Sequence, residues 1–190
     1  MALLVPAPHY MRGDVVLYAP RPLYAGPIRS GPVRMRYTLN RQDMSTLHVP
    51  GLGDFAAFSG NAEGRNNPGG ITWKDSGPIP TGTYYVVNRQ SGGYLSQARN
   101  FFYEQFDLPN KSEWFALWQC ALCDSQNVNG VTRGNFRLHP RGPLGVSLGC
   151  VTLDKLYDFE KIAGYLRSRD PDLPIPGSSL KAFGTLEVTQ

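Results

Sequence analysis

The stretch Arg137-Leu138-His139-Pro140-Arg141-Gly142-Pro143-Leu144-Gly145-Val146-Ser147-Leu148-Gly149-Cys150-Val151-Thr152-Leu153 reads as a strand, a Gly-Pro loop and a second strand. It carries one histidine, His139, and one cysteine, Cys150. The loop between them is built from residues that permit reversal, since Gly accepts positive φ and Pro fixes φ, so the two side chains can meet. A free thiol near neutral pH is mostly protonated, whereas the attacking species is thiolate. An imidazole within hydrogen-bond reach removes that proton or holds the resulting ion pair. Gly149 leaves backbone N–H groups unshielded where a tetrahedral oxyanion forms, and Ser147 supports the loop. These are the parts of a thiol acyl-transfer site. The same residues also allow a buried structural cysteine beside a histidine that is only hydrogen-bonded, but such a cysteine has no need of Ser-x-Gly before it.

Outward from this stretch the chain reads as mainly β. Asn135–Leu138 and Val151–Leu153 flank the loop as strands, and Glu113–Trp118 and Thr83–Asn88 precede them. Val33–Leu39 alternates as a half-buried strand does, Leu47–Val49 and Asp54–Phe58 are shorter runs, and Gly184–Thr189 closes the chain with another alternation. Residues 124–134 form a polar turn and residues 170–177 a proline-rich one. Two short helices are expected. One spans Leu95 to Phe106, with Leu95, Ala98, Phe102 and Phe106 on one face. The other starts at Asp154 as N-cap, with Leu156, Phe159, Ile162, Ala163 and Leu166 facing the sheet. The 21 glycines and 16 prolines argue against a helical bundle.

Composition bounds the function classes. With 41% hydrophobic and 18% charged residues, 190 residues suit one domain with a real core. The net charge of +4 is scattered, and no basic run interleaved with aromatics appears, which excludes nucleic acid as the expected partner. No apolar run is long enough to span a bilayer. The opening Met1-Ala2-Leu3-Leu4-Val5-Pro6 is too short for a signal-peptide core and lacks a basic flank. The expectation is therefore a protein made in the cytoplasm without a cleavable signal. Residues 1–32, with Pro6, Pro8, Pro20, Pro22, Pro27 and Pro32, read as a Pro-rich N-terminal arm, and residues 33–190 as the catalytic domain.

Three further features are candidates. The loop from Ser59 to Gly70 holds four glycines and three asparagines. Asn66 and Asn67 there can grip a peptide substrate, or can serve a cluster of turns. His48 lies on a short strand with no nucleophile near it in sequence and reads as a surface residue. Cys120 and Cys123 have Cys-x-x-Cys spacing, which admits a zinc site, a redox pair or structural thiols able to form a disulfide in an oxidising compartment. Structural thiols are preferred, and no cofactor is expected. The alternative from another class is a zinc-stabilised binding module using Cys120, Cys123, Cys150 and His139.

Ser147-Leu148-Gly149-Cys150-Val151-Thr152-Leu153, with His139-Pro140 shortly before it, resembles the catalytic signature of the L,D-transpeptidase superfamily. It is most similar to a branch of type VI secretion effectors that attack the peptidoglycan of rival bacteria. Phe58-Ser59-Gly60-Asn61, Asn66-Asn67-Pro68 and Gly77-Pro78-Ile79-Pro80-Thr81-Gly82-Thr83-Tyr84 fit the same branch, and the likeness covers roughly residues 33–189. Housekeeping members of the superfamily carry a second histidine between the Ser and Gly, a longer spacing from the first histidine and an arginine soon after the cysteine. Here Leu148, a short Pro-Gly loop and Thr152-Leu153 stand in those places, which favours the effector branch. The resemblance implies an L,D-transpeptidase-like β-sandwich, with Cys150 as nucleophile and His139 as base. It implies cleavage of the L,D bond before the terminal D-Ala of peptidoglycan stem peptides, with exchange of D-amino acids. It further implies a cognate immunity protein and a secretion-apparatus component as partners, and action in the periplasm of target bacteria.

Overall fold

In the computed structural model, which describes residues 31–88, 114–119 and 124–190, the alternating run Val33–Thr38 is strand β1. Val33, Met35 and Tyr37 are buried and Arg34, Arg36 and Thr38 exposed, as a strand with one wet face requires. β2 (Ser45–Val49) repeats the pattern, and β3 (Gly53–Phe58) follows a turn in which Gly51 and Gly53 both take positive φ. β4 (Gly82–Asn88) and the fully buried β5 (Phe115–Trp118) come next. Residues 124–134, expected as a plain turn, form a hairpin of β6 (Ser125–Val128) and β7 (Val131–Gly134). Asn129 and Gly130 at its tip have φ of +48° and +83°, the backbone of a two-residue hairpin turn that matches strand twist. β8 (Arg137–Pro140) and β9 (Val151–Leu153) flank the Gly-Pro loop. After helix α1 (Leu156–Arg167) come β10 (Leu173–Pro174), β11 (Lys181–Ala182) and β12 (Gly184–Thr189).

Eight strands close in the order β1-β12-β4-β5-β8-β9-β3-β2. The class is mainly β as expected, but the sandwich takes the form of a closed barrel. The reason is that β1 pairs with both β2 and the last strand β12, the latter in parallel, which leaves no open edge. Inward residues such as Met35, Leu47, Phe115, Leu138, Val151 and Leu186 share one core with Phe159, Ile162 and Leu166 of α1. A smaller cluster of Val87, Ala116, Trp118, Ile175 and Ala182 forms where the β10–β11 hairpin meets β4 and β5.

The helix departs from expectation at its start. Lys155, not Asp154, is the N-cap, and it makes no side-chain cap bond. The Asp154 carboxylate instead accepts from Arg141 at 2.9 Å. Leu156, expected on the packed face, is 43% exposed, and Tyr165 is buried with the others. The helix expected over Leu95–Phe106, the arm up to residue 30, and Cys120 and Cys123 lie outside the described residues. Among the described residues no helix is long and apolar enough to cross a membrane.

Closure between β1 and β12 depends on a residue without a side chain. A Cβ on Gly184 would sit 1.9 Å from the Val33 carbonyl oxygen. Gly184→Ala therefore forces the two strands apart, at an expected cost of about 2 kcal/mol and a fall in Tm of about 4–8 °C. Glu187→Ala removes only an exposed 3.4 Å ion pair to Arg36 and should move Tm by less than about 2 °C. Thermal unfolding followed by circular dichroism checks both.

Candidate active site

The parallel register between β8 and β9 places Leu138 opposite Val151 and His139 opposite Thr152. Leu138, Val151 and Leu153 belong to the core, so by strand alternation His139 and Thr152 face the other side of the sheet. On the far side of β9, Phe58 of β3 is opposite Thr152. On the near side, the Trp114 ring stacks on His139 with centroids 4.4 Å apart and planes 20° from parallel. The result is a row of Trp114, just before β5, with His139 of β8, Thr152 of β9 and Phe58 of β3, all of it buried.

His139 is 4% exposed, and its two ring nitrogens have different partners. Nδ1 lies 2.8 Å from the Pro140 carbonyl oxygen. A carbonyl can only accept, so Nδ1 carries the proton, and the Nε2 lone pair is left for another group. The Thr152 hydroxyl lies 3.3 Å from Nε2. The tautomer is thus set by a backbone acceptor.

Cys150 stands two residues before Thr152, at the end of the loop and immediately before β9, and is 2% exposed. Its thiol donates to the Asn135 carbonyl oxygen at 3.7 Å. The Ser147 hydroxyl donates to the Cys150 carbonyl oxygen at 2.8 Å, drawing the loop into a tight turn. Gly149 has φ +109°, and a Cβ there would come within 2.7 Å of Arg133 Nη2 and 3.1 Å of the Phe136 ring. Only glycine fits. His139, Ser147, Gly149 and Cys150 are thus gathered along β8, β9 and the loop joining them. His48 is exposed and pairs with Asp54 at 2.5 Å, away from this row, as a surface strand residue.

Two buried polar side chains that sequence reading missed or placed elsewhere hold the surroundings. Arg133, from β7, is 3% exposed; it donates to the carbonyls of Ile71, Gly77 and Pro78, the last two at 3.0 and 3.3 Å. It thereby ties the hairpin, the loop before β4 and Gly149 together. Asn66 is fully buried with φ +51°. Its Oδ1 accepts from the Tyr37 hydroxyl and, at 2.9 Å, from Ser59 N, while Nδ2 donates to the carbonyls of Gln42 and Asp43 at 2.8 and 3.3 Å. The amide is thus engaged with the fold, as the turn-cluster alternative for this loop describes. Asn67 is half-buried, caps a 3-10 turn by accepting from Gly69 N at 2.9 Å, and lines a cleft. Among the described residues no group of three or more His, Cys, Asp or Glu is placed to hold a metal ion.

The sequence around this site matches the Tlde1 domain over residues 53–177, about two thirds of the chain. The chain belongs to the Tlde1 domain family. This is a family of type VI secretion effectors associated with peptidoglycan-targeting activity. No curated protein matches the chain. The Tlde1 match contains every residue of the row and the whole Gly-Pro loop. It begins at β3 and ends before β11, so β1, β2 and β12 lie outside the matched segment although they complete the barrel.

Asn66→Ala in this Tlde1 domain strands the Tyr37 hydroxyl, the Ser59 N–H and two carbonyls. The expected loss is about 3 kcal/mol, with a fall in Tm of about 6–12 °C. Asn67→Ala should cost less than about 1 kcal/mol. Denaturant titration of the two variants checks this. Burial also pushes the Tyr37 and Tyr84 phenols above their ordinary range. The folded chain then keeps protons that the unfolded chain releases above about pH 10. Stability should therefore hold through pH 9 and fall as pH rises past about 10, read as the urea midpoint across that window.

Proposed function

We propose that the chain is an antibacterial effector enzyme that cleaves the L,D bond before the terminal D-Ala of peptidoglycan stem tetrapeptides and exchanges D-amino acids at the same position. The observation that supports the reading is the β8–β9 register, which pairs His139 with Thr152, two residues after Cys150, together with a His139 Nδ1 proton held by the Pro140 carbonyl. Nε2 of His139 takes the thiol proton as Cys150 Sγ adds to the carbonyl carbon of the third residue. Backbone N–H groups around Gly149 and Cys150 receive the oxyanion. The tetrahedral intermediate collapses to a thioester as the C–N bond breaks, and His139 returns the proton to the departing D-Ala amine. Water then attacks the thioester, with His139 as base again, to give the tripeptide acid. A D-amino acid attacking in its place gives exchange.

The remaining roles follow from this reading. Ser147 holds the turn that presents Cys150, and Arg133 fixes the loop next to Gly149. The catalytic unit is read as residues 33–190, a reading supported by β1 and β12 both being barrel strands. Export by a type VI apparatus, action in the periplasm of the target cell and neutralisation by a cognate immunity protein accord with membership of the family.

Purified tetrapeptide muropeptides incubated with the wild type and analysed by mass spectrometry should lose D-Ala, or exchange it when a D-amino acid is added. Cys150→Ala and His139→Ala should each lower turnover at least about a thousandfold while keeping the wild-type circular dichroism spectrum. Near-wild-type turnover by either folded variant would remove the mechanism. Stoichiometric zinc in the purified protein would favour the binding module in its place.

A further inference from the structure

Burial sets a difficulty for the thiol that the β8–β9 row does not remove. Cys150 is 2% exposed, and desolvation favours the neutral thiol over the thiolate. The acceptor behind His139 is a neutral carbonyl, so no carboxylate stabilises from that side the imidazolium that forms on proton transfer.

A second cation lies beside the peptide that leads into Cys150. Arg133, from β7, is 3% exposed, and its guanidinium sits in a slot that two glycines leave open. A Cβ on Gly149 would come within 2.7 Å of Nη2, and a Cβ on Gly77 within 3.0 Å of Nη1. The guanidinium donates to the carbonyls of Ile71, Gly77 and Pro78. Neutral acceptors of this kind fix the direction of the planar group without cancelling its charge. Covalent geometry from the Gly149 contact keeps Nη2 within about 7 Å of the Cys150 amide nitrogen. The thiol is tied to the same cluster by an independent route. Sγ donates to the Asn135 carbonyl at 3.7 Å, and the ring of the next residue, Phe136, lies 5.7 Å from Arg133 Cζ.

The other charged and titratable groups on these elements are engaged elsewhere. Arg137, from β8, is held by Asp124 through both carboxylate oxygens. Tyr84, from β4, meets the Phe136 ring edge-on at 5.9 Å, and burial keeps its phenol protonated. Arg65 and Arg141 act on the other end of the loop, at Gly145 and Asp154. Resting on the proposed reaction, we infer that Arg133 is a positioning residue whose buried charge favours the Cys150 thiolate and the oxyanion formed at the Gly149 and Cys150 amides, without touching substrate. Glycine at 149 then has a second purpose, because any side chain there would displace the guanidinium. Unit charges about 7–10 Å apart where water is excluded shift an ionisation on the order of tenfold. An arginine that only braced the fold would change stability and leave the ionisation of the thiol where it was.

The ultraviolet absorbance of the thiolate, taken as the difference between each protein and its Cys150→Ala counterpart, reads this one thiol without need of turnover. Arg133→Met should raise the pH at which Cys150 ionises by at least about one unit, a tenfold loss of thiolate near neutral pH. Arg133→Lys keeps the charge and should stay within about half a unit of the wild type. Circular dichroism establishes that each variant is folded. His139→Ala leaves Arg133 in place and decides the matter should Arg133→Met not fold: with the imidazole gone, the buried thiol should still ionise at or below the ordinary cysteine value of about 8.5. A thiol that titrates in Arg133→Met as in the wild type, equal shifts in the Met and Lys variants, or a His139→Ala thiol above the ordinary value overturns the assignment. On the tetrapeptide, Arg133→Met should lower kcat at least about tenfold with KM within about twofold of the wild type. A loss confined to KM makes Arg133 a substrate-binding residue and also overturns it. Absence of turnover by the wild type instead counts against the proposed reaction, and the thiol titration then decides the role of Arg133 by itself.

Discussion

Parallel pairing of β8 with β9 makes the chain travel back along the full length of a strand before it can pair again, and parallel neighbours are usually joined by a helix for that reason. Here residues 141–150 do it without one. So short a return needs backbone that most residues resist: Gly145 at φ +60° and Gly149 at +109°, with the Ser147 hydroxyl bonded to the Cys150 carbonyl to close the last turn. The compressed loop ends at the first residue of the motif strand with no slack. Cys150 therefore ends the loop immediately before β9, the strand whose pairing with β8 sets His139 opposite Thr152.

A loop of this kind has little apolar surface of its own, so its position must come from polar contacts. Three arginines provide them. Arg65 reaches the Gly145 carbonyl, Arg141 turns back to Asp154 at the end of β9, and Arg133 fills the space beside Gly149 while holding carbonyls of the loop before β4. Charged donors on neutral carbonyls make strong hydrogen bonds when water is excluded, and planar guanidinium groups keep several of them in fixed directions. Two arginines also lie over the Phe58 ring, at 4.3 and 5.8 Å, so this end of the row is gripped by cation–π contact as well. The core supports the sheet from one side, and the arginines and Asn66 supply the polar frame on the other.

How much of this is legible in the sequence depends on the range over which each feature is determined. Val33–Thr38, Gly82–Asn88 and Gly184–Thr189 alternate or carry β-branched and aromatic residues, and they are strands within a residue or two of expectation. Their closure into a barrel is not legible, since it rests on a first strand meeting a last one. The hairpin β6–β7 was hidden because Ser125-Gln126-Asn127-Val128 has no apolar alternation, although Asn129-Gly130 marks the turn locally. Asp154 looks like a cap until Arg141, from another segment, claims its carboxylate. Arg133 and Asn66 lie in polar stretches of the sequence, and only their tertiary neighbours bury them. The reading of His139 with Cys150 rests on local logic: two residue types, a reversible loop and flanking apolar runs. The orientation of His139 was not, because Pro140 lends its backbone carbonyl, and any residue has one.

That choice of acceptor bears on the chemistry proposed for the site. A carboxylate behind the imidazole would both fix its tautomer and stabilise the imidazolium that forms on proton transfer, which a serine hydroxyl needs because it is a very weak acid. A thiol is far more acidic, so less stabilisation of the imidazolium is required to produce the attacking anion. The tautomer must still be set, and the Pro140 carbonyl does that without placing a negative charge beside a developing thiolate. The flat face of Trp114 and the hydroxyl of Thr152 then confine the ring from two further directions. A histidine held by stacking, one backbone acceptor and one neutral hydroxyl is suited to a cysteine in a way that it would not be to a serine.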